Sequence, residues 1–208
     1  MVHTTTRRLA LLAASLLTLA VAPARAQIAI GDAIPMADTK MKNVNDKNVT
    51  LASLAGKKGT LVVFTCNHCP WAKMWQTRVT EIGNAAGKVG IGMVAINAND
   101  PAEYPEDGMD GMKQRAKELK IKFPYVVDAT SDVARAFGAS RTPEAFLFDA
   151  DGKLVYHGTI DDSPKDAAAV KDAYLKDAVN AVSTGKTVTT AETKSMGCSI
   201  KFRSKTTS

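Results

Sequence analysis

Hydrophobic residues along this chain of 208 fall into two patterns, short unbroken runs and recurrences at helical spacing. Residues 60–65 form a run of the first kind. Apolar and β-branched without alternation, they predict a strand buried on both faces. From Pro70 to about Ala86 the spacing turns helical, and Gly87 and Gly90 close the helix. Ile91–Asn97 is a second buried run, so the three segments predict a β-α-β unit with a right-handed crossover. After the polar loop 100–111, Met112, Ala116 and Leu119 predict a helix and Tyr125–Val127 a short strand. Asp132–Phe137 reads as another helix, with Ser131 as cap and Gly138 as stop. Residues 145–148 and 154–156, joined by Asp149-Ala150-Asp151-Gly152-Lys153, read as a β-hairpin. The span 167–182 reads as a last amphipathic helix ended by Gly185, which Asp161 and Asp162 precede or cap. Turn signals at 31–35 and 45–48 frame a strand or hairpin leading into the core. Alternating helices and strands predict an α/β fold, a mixed central sheet covered by helices on both faces.

The N-terminal stretch has a different pattern. Arg7-Arg8, the apolar run 9–21 and Ala24-Arg25-Ala26 form a secretory signal peptide, residues 1–26, with cleavage expected after Ala26. The run is shorter than the ~20 residues that span a bilayer. The expected product is therefore periplasmic and has no stable membrane insertion. Residues 27–185 are long enough for one domain with a full core, and residues 186–208, rich in Thr and Lys, read as a loosely held tail.

The formal charge of +6 looks basic, yet Arg7, Arg8 and Arg25 lie in the signal and no acid does, which leaves about +3. The remaining lysines are interspersed with acids and form no block, so a nucleic-acid partner is not expected. Three cysteines do not suit a multi-disulfide scaffold. Cys66-Asn67-His68-Cys69-Pro70 stands at the junction of the first buried strand and the helix that follows it. With Cys66 at the helix start and Cys69 in the first turn, both sulfurs share a face and can close a small disulfide ring. In that position Cys66 faces the unpaired N–H groups and positive dipole end of the helix, which favour the nucleophilic thiolate. A ring this small constrains the unfolded chain little, which argues for redox chemistry over a structural staple.

With these residues in view, the chain resembles the thioredoxin-like superfamily, in its redoxin branch, and a peroxiredoxin-like subgroup of periplasmic thioredoxin proteins. The resemblance rests on the strand ending in Cys66-Asn67-His68-Cys69, Thr142-Pro143 before the hairpin, and Gly31-Asp32-Ala33-Ile34-Pro35. Tyr104-Pro105-Glu106-Asp107, Tyr156-His157-Gly158-Thr159 and Gly197-Cys198-Ser199-Ile200 extend it. It implies a thioredoxin-like fold with an N-terminal strand or hairpin extension and a helix-strand insertion before a cis Thr142-Pro143 bond. It also implies an exported thiol–disulfide oxidoreductase that exchanges disulfides with protein thiols and with a reducing or oxidising partner, and that needs no cofactor or metal. Catalysis is assigned to Cys66, Cys69 and His68, with the imidazole favouring thiolate at Cys66. Asn67, Trp71, Thr142 and Pro143 are the expected substrate contacts. Cys198 and Glu144 are candidate accessories, the first as a resolving thiol folded back near Cys66 and the second as a proton acceptor for Cys69.

Two alternatives stand beside this reading. One is a thiol-dependent peroxidase, with Cys198 resolving a sulfenic acid on Cys66. In the peroxidase motif a proline and a threonine precede the reactive cysteine by seven and three residues, and here those positions hold Gly59 and Val63. The other is a copper-binding thiol chaperone, with Cys66, Cys69 and His157 as a soft Cu(I) set.

Overall fold

The computed structural model describes Met1 and residues 27–204. The expected signal peptide therefore lies outside the described residues. Among those residues no helix is long and apolar enough to cross a membrane.

In chain order come β1 (Met41–Asn43), β2 (Asn48–Val49), β3 (Gly59–Phe64), α1 (Pro70–Ala86), β4 (Ile91–Asn97), α2 (Met109–Glu118), β5 (Tyr125–Val127) and α3 (Asp132–Phe137). They are followed by β6 (Arg141–Thr142), β7 (Glu144–Asp149), β8 (Leu154–Gly158), α4 (Tyr174–Ser183) and β9 (Cys198–Ser199). Seven strands form one sheet in the order β2-β1-β5-β4-β3-β7-β8, and β6 with β9 forms a separate two-stranded ribbon. β3 lies at the interior of the sheet, parallel to β4 and antiparallel to β7. This is the mixed, thioredoxin-like sheet that the resemblance implies. The N-terminal hairpin β1-β2 extends it through antiparallel pairing of β1 with β5.

Every residue of β3 is buried, and its side chains alternate between two cores. Val62 and Phe64 join Val94, Ile96, Phe146 and Phe137 of α3 on one face. Phe137 sits edge-on to Phe64 and Phe146, at 5.2 Å from each. Leu61 and Val63 face Trp75 and Val79 of α1 and Leu175 and Val179 of α4 on the other. Each such side chain contributes roughly 1.5–3 kcal/mol by leaving water. Trp75 is buried completely and satisfies its one polar atom by donating Nε1–H to Asp161 at 2.8 Å. Arg78 donates to the same carboxylate. Together these contacts hold the helix that carries the dithiol against the sheet.

Three expectations change. The predicted helix 167–182 is broken into a single 3-10 turn at Ala167–Ala169 and α4. Asp162 and the backbone around 171–172 bond each other across the break, the Lys171 N–H donating to Asp162 Oδ1 and the Asp162 N–H to the Asp172 carbonyl. The side chains of Asp161 and Asp162 are thus used in tertiary contacts, not as a helix cap. Ser131 does not cap α3 through its side chain, which donates to the Ala98 carbonyl at 2.7 Å. Asp128 instead accepts the Ala134 N–H at 2.9 Å. Finally, the tail is docked as far as Arg203: His157 bridges Glu192, Thr142 pairs with Cys198, Asn99 bridges Phe202, and the Arg203 N–H donates to Ser131 Oγ at 2.9 Å.

Candidate active site

α1 begins at Pro70, and Cys69 is its N-cap. Proline fits the first helical position because its missing N–H has no partner there in any case. Cys66 therefore lies three residues before the cap, not at the helix start as its position in the sequence suggested. The helix N-terminus faces Cys69 instead, and the Ala72 N–H favours a thiolate on that sulfur. All three cysteines are free thiols. Cys69 is fully buried, Cys66 is 6% exposed, and Cys198 is partly exposed against them.

The Thr142-Pro143 bond is cis, and Thr142 contacts both sulfurs. Cys66 Sγ lies 3.2 Å from its hydroxyl, and Cys69 Sγ lies 3.3 Å from its carbonyl oxygen. Trp71 packs against the dithiol with its ring 6.0 Å from that of Trp75. Beside Cys66 and Pro143 is a hollow of about 30 Å³, also lined by Gln76, Arg115 and Tyr125. It has room for one or two waters and not for a metabolite.

The two thiols ionise as a pair. The hydrogen bond from Cys66 brings Cys69 down to about 4; burial opposes it, and an S–H from Cys198 adds to it. The same bond raises Cys66, and burial and the negative charge of Asp107 raise it further. Thr142 adds to the lowering at Cys69, and the pair as a whole has one easy proton loss and one hard one.

His68 and Asn67 are held by a residue that sequence reasoning passed over. Asp107 ends a 3-10 turn (Pro105–Asp107) and is fully buried. Its Oδ1 accepts the N–H groups of Asn67 at 2.6 Å and His68 at 3.2 Å, and its Oδ2 accepts Asn99 Nδ2 at 2.8 Å. His68 Nδ1 lies 2.5 Å from the same Oδ2, and the carboxylate makes that nitrogen the N–H. Tyr104 stacks on the imidazole at 3.7 Å, nearly coplanar. Asn67, expected among the substrate contacts, is turned inward. Its amide donates to the Glu106 carbonyl at 2.6 Å and accepts the Tyr125 hydroxyl at 3.0 Å. The only signal of this network in the sequence was the stretch Tyr104-Pro105-Glu106-Asp107, which the family resemblance singled out without giving it a role.

Glu144 is buried at 1% exposure. Burial pushes its carboxyl up, but hydrogen bonds from His157 at 2.7 Å and from the N–H groups of Ser140 and Arg141 outweigh it and leave the group below its ordinary value. His157 is thereby engaged with Glu144, and the Cu(I) set of Cys66, Cys69 and His157 is not assembled. Among the described residues, the metal-ligating atoms that converge are those of Cys66, His68 and Asp107, within 4.8 Å of one another. Asp107 already accepts four N–H donors, so this trio reads as a hydrogen-bond network.

Comparison with known proteins adds a family to this geometry. Residues 29–174 match the Redoxin family. A conserved uncharacterized protein of Geobacillus kaustophilus is 37% identical, with a TM-score of 0.78 over 84% of this chain and 93% of that one. A hypothetical protein of Sinorhizobium meliloti 1021 is 34% identical, with a TM-score of 0.79 over 86% of this chain and 97% of that one. The thiol–disulfide oxidoreductase ResA of Geobacillus thermodenitrificans is 24% identical over 127 residues, covering 61% of this chain and 67% of its own length. Other ResA proteins are matched over 61% of their length.

Proposed function

The chain belongs to the redoxin family, and from that premise we propose that it is an exported, periplasmic thiol–disulfide oxidoreductase exchanging disulfides with protein thiols through Cys66 and Cys69. The observation that carries the reading is the placement of both sulfurs on one residue, Thr142, with Cys66 the outer and Cys69 the enclosed one. The hollow beside Cys66 is too small for a metabolite, which supports a macromolecular partner that presents its sulfur from the surface. The ResA relatives, named for the same chemistry, support the reading.

The mechanism follows from the asymmetry of the pair. Cys66 becomes nucleophilic when its proton passes along the S–H···S bond to Cys69. It attacks a partner disulfide, one partner sulfur departs with the electron pair, and a mixed disulfide remains on Cys66. The departed partner thiolate takes the proton from Cys69, which then attacks Cys66 Sγ and releases the second partner sulfur as a thiolate that solvent protonates. Trp71, Thr142 and Pro143 border the place where the partner strand lies. The surroundings of positions 59 and 63 weigh against the peroxidase alternative. At position 59 an added Cβ would stand 2.3 Å from the Phe148 carbonyl oxygen, and Val63 is buried within β3.

Cys69→Ser tests the proposal. Expressed with its export segment, it should retain periplasmic proteins as mixed disulfides on Cys66 that dithiothreitol releases. A variant that traps none would overturn the exchange reading. A reduction potential near about −120 mV would mark the protein as an oxidant, and one near about −270 mV as a reductase.

A further inference from the structure

Three thiols, not two, meet at this site. β9 pairs antiparallel with β6, so that Cys198 faces Thr142, the residue that contacts both sulfurs of the dithiol. The approach depends on Gly197, where an added Cβ would lie 2.3 Å from the Thr142 carbonyl oxygen. The tail is fastened on both sides of Cys198. Upstream, the Thr193 N–H donates to the His157 carbonyl at 3.0 Å, and Ser195 Oγ donates to Glu144 at 2.9 Å. Downstream, the Ile200 N–H donates to the Ser140 carbonyl at 3.0 Å, and its side chain joins the core beside Phe64. The Lys201 N–H follows, donating to Asn99 Oδ1 at 2.8 Å. This segment is a fixed wall of the site. Its thiol packs on the Cys66, Cys69 and Ala72 cluster and hydrogen-bonds Cys69. Cys69 therefore stands between two neighbours of its own kind, enclosed, with both of them nearer the surface.

We propose that Cys198 is the third member of a thiol relay in which Cys69 bonds alternately to Cys66 and to Cys198, so that the substrate and the reductant are met by different sulfurs. The inference rests on the exchange reading above. Beginning from the Cys66–Cys69 disulfide, Cys198 gives up its proton and attacks Cys69 Sγ. The Cys69–Cys198 bond forms as the Cys66–Cys69 bond breaks, and the electron pair and a proton go to Cys66. One disulfide replaces another, and no external oxidant or reductant takes part. A dithiol reductant then attacks Cys198, expels Cys69 and, through its own second thiol, leaves as a cyclic disulfide. Cys69, whose thiolate the Ala72 N–H and neighbouring S–H groups favour, is the better leaving group.

The test is disulfide mapping of the full chain equilibrated across glutathione buffers, acid-quenched and alkylated. Trypsin leaves Cys66 and Cys69 on one peptide, 59–73, and Cys198 on another, 195–201. The expected result is a population in which these two peptides are joined while Cys66 is alkylated, and the same joined pair within single chains of Cys66→Ser. Cys198 alkylated at every potential in the wild-type chain would overturn the relay, whether or not Cys66→Ser folds. Reduction of the oxidised protein by dithiothreitol should be severalfold slower in Cys198→Ser than in the wild type, and equal rates would overturn the assignment of Cys198 to the reductant side. Failure of the underlying reading looks different: Cys66 and Cys69 would stay alkylated throughout as well, which overturns both proposals.

Discussion

His68 Nδ1 and Asp107 Oδ2 lie 2.5 Å apart, although 39 residues separate them in the chain. The pair makes His68 more than an imidazole beside a thiol. Asp107 is a buried negative charge that raises Cys66, and His68 is the donor that faces it.

Asp107→Asn removes that charge. The harder of the dithiol's two ionisations should fall by about one pH unit, and the reduced form should gain stability, which makes the disulfide a stronger oxidant. His68→Ala should move the same ionisation upward, and by less in the Asp107→Asn background. Titration of thiolate ultraviolet absorbance reads both. An ionisation that Asp107→Asn leaves in place would show that the carboxylate acts on the loop alone. The same variant should cost about 1–3 kcal/mol, since the N–H groups of Asn67 and His68 and the amide of Asn99 share a poorer acceptor.

Glu144 predicts the acid limb of stability. Its folded-state pKa lies below its ordinary value, so its stabilising contribution is present above the unfolded pKa and is lost as pH falls through the folded one. Glu144→Gln should lower stability at neutral pH by about 3 kcal/mol, because His157 and two backbone N–H groups lose a charged partner. It should also flatten the dependence between pH 4.5, the ordinary value, and the folded pKa. Denaturant midpoints measured across that window check both, and parallel curves for the two proteins would refute the assignment.

Gly197→Ala places a methyl group where the Thr142 carbonyl stands. The ribbon of β6 and β9 should part, at a cost of about 1–3 kcal/mol, and Cys198 should leave Cys69. The measurement is alkylation of Cys198 in the native protein, which should become severalfold faster. An unchanged rate would mean that the tail tolerates the methyl by shifting as a body.

Much of the scaffold was legible from local pattern. Pro70 to Ala86 and Ile91 to Asn97 were read with the bounds that the structure shows, because a proline start and an unbroken apolar run are local signals. The cis Thr142-Pro143 bond came from family likeness alone. The span 167–182 was misread because its apolar spacing is helical throughout, while the pairing of Asp162 with residues 171 and 172 that breaks it is a tertiary contact. The engagement of Glu144, expected as an accessory at Cys69, was not legible because its partner His157 lies thirteen residues away. Asp107 was missed for the same reason, since a short acidic turn in a polar loop gives no sign that it will be buried under the dithiol.

The ribbon also orders events in time. A chain that leaves the ribosome N-terminus first presents Cys66 and Cys69 together, while Cys198 follows 129 residues behind Cys69. Until those residues are made, Cys69 has one possible intramolecular partner. The choice between two arises in the finished molecule, once residues 197–200 have docked on Thr142 and Ser140. A molecule cut short before Gly197 would keep its dithiol and lose that choice.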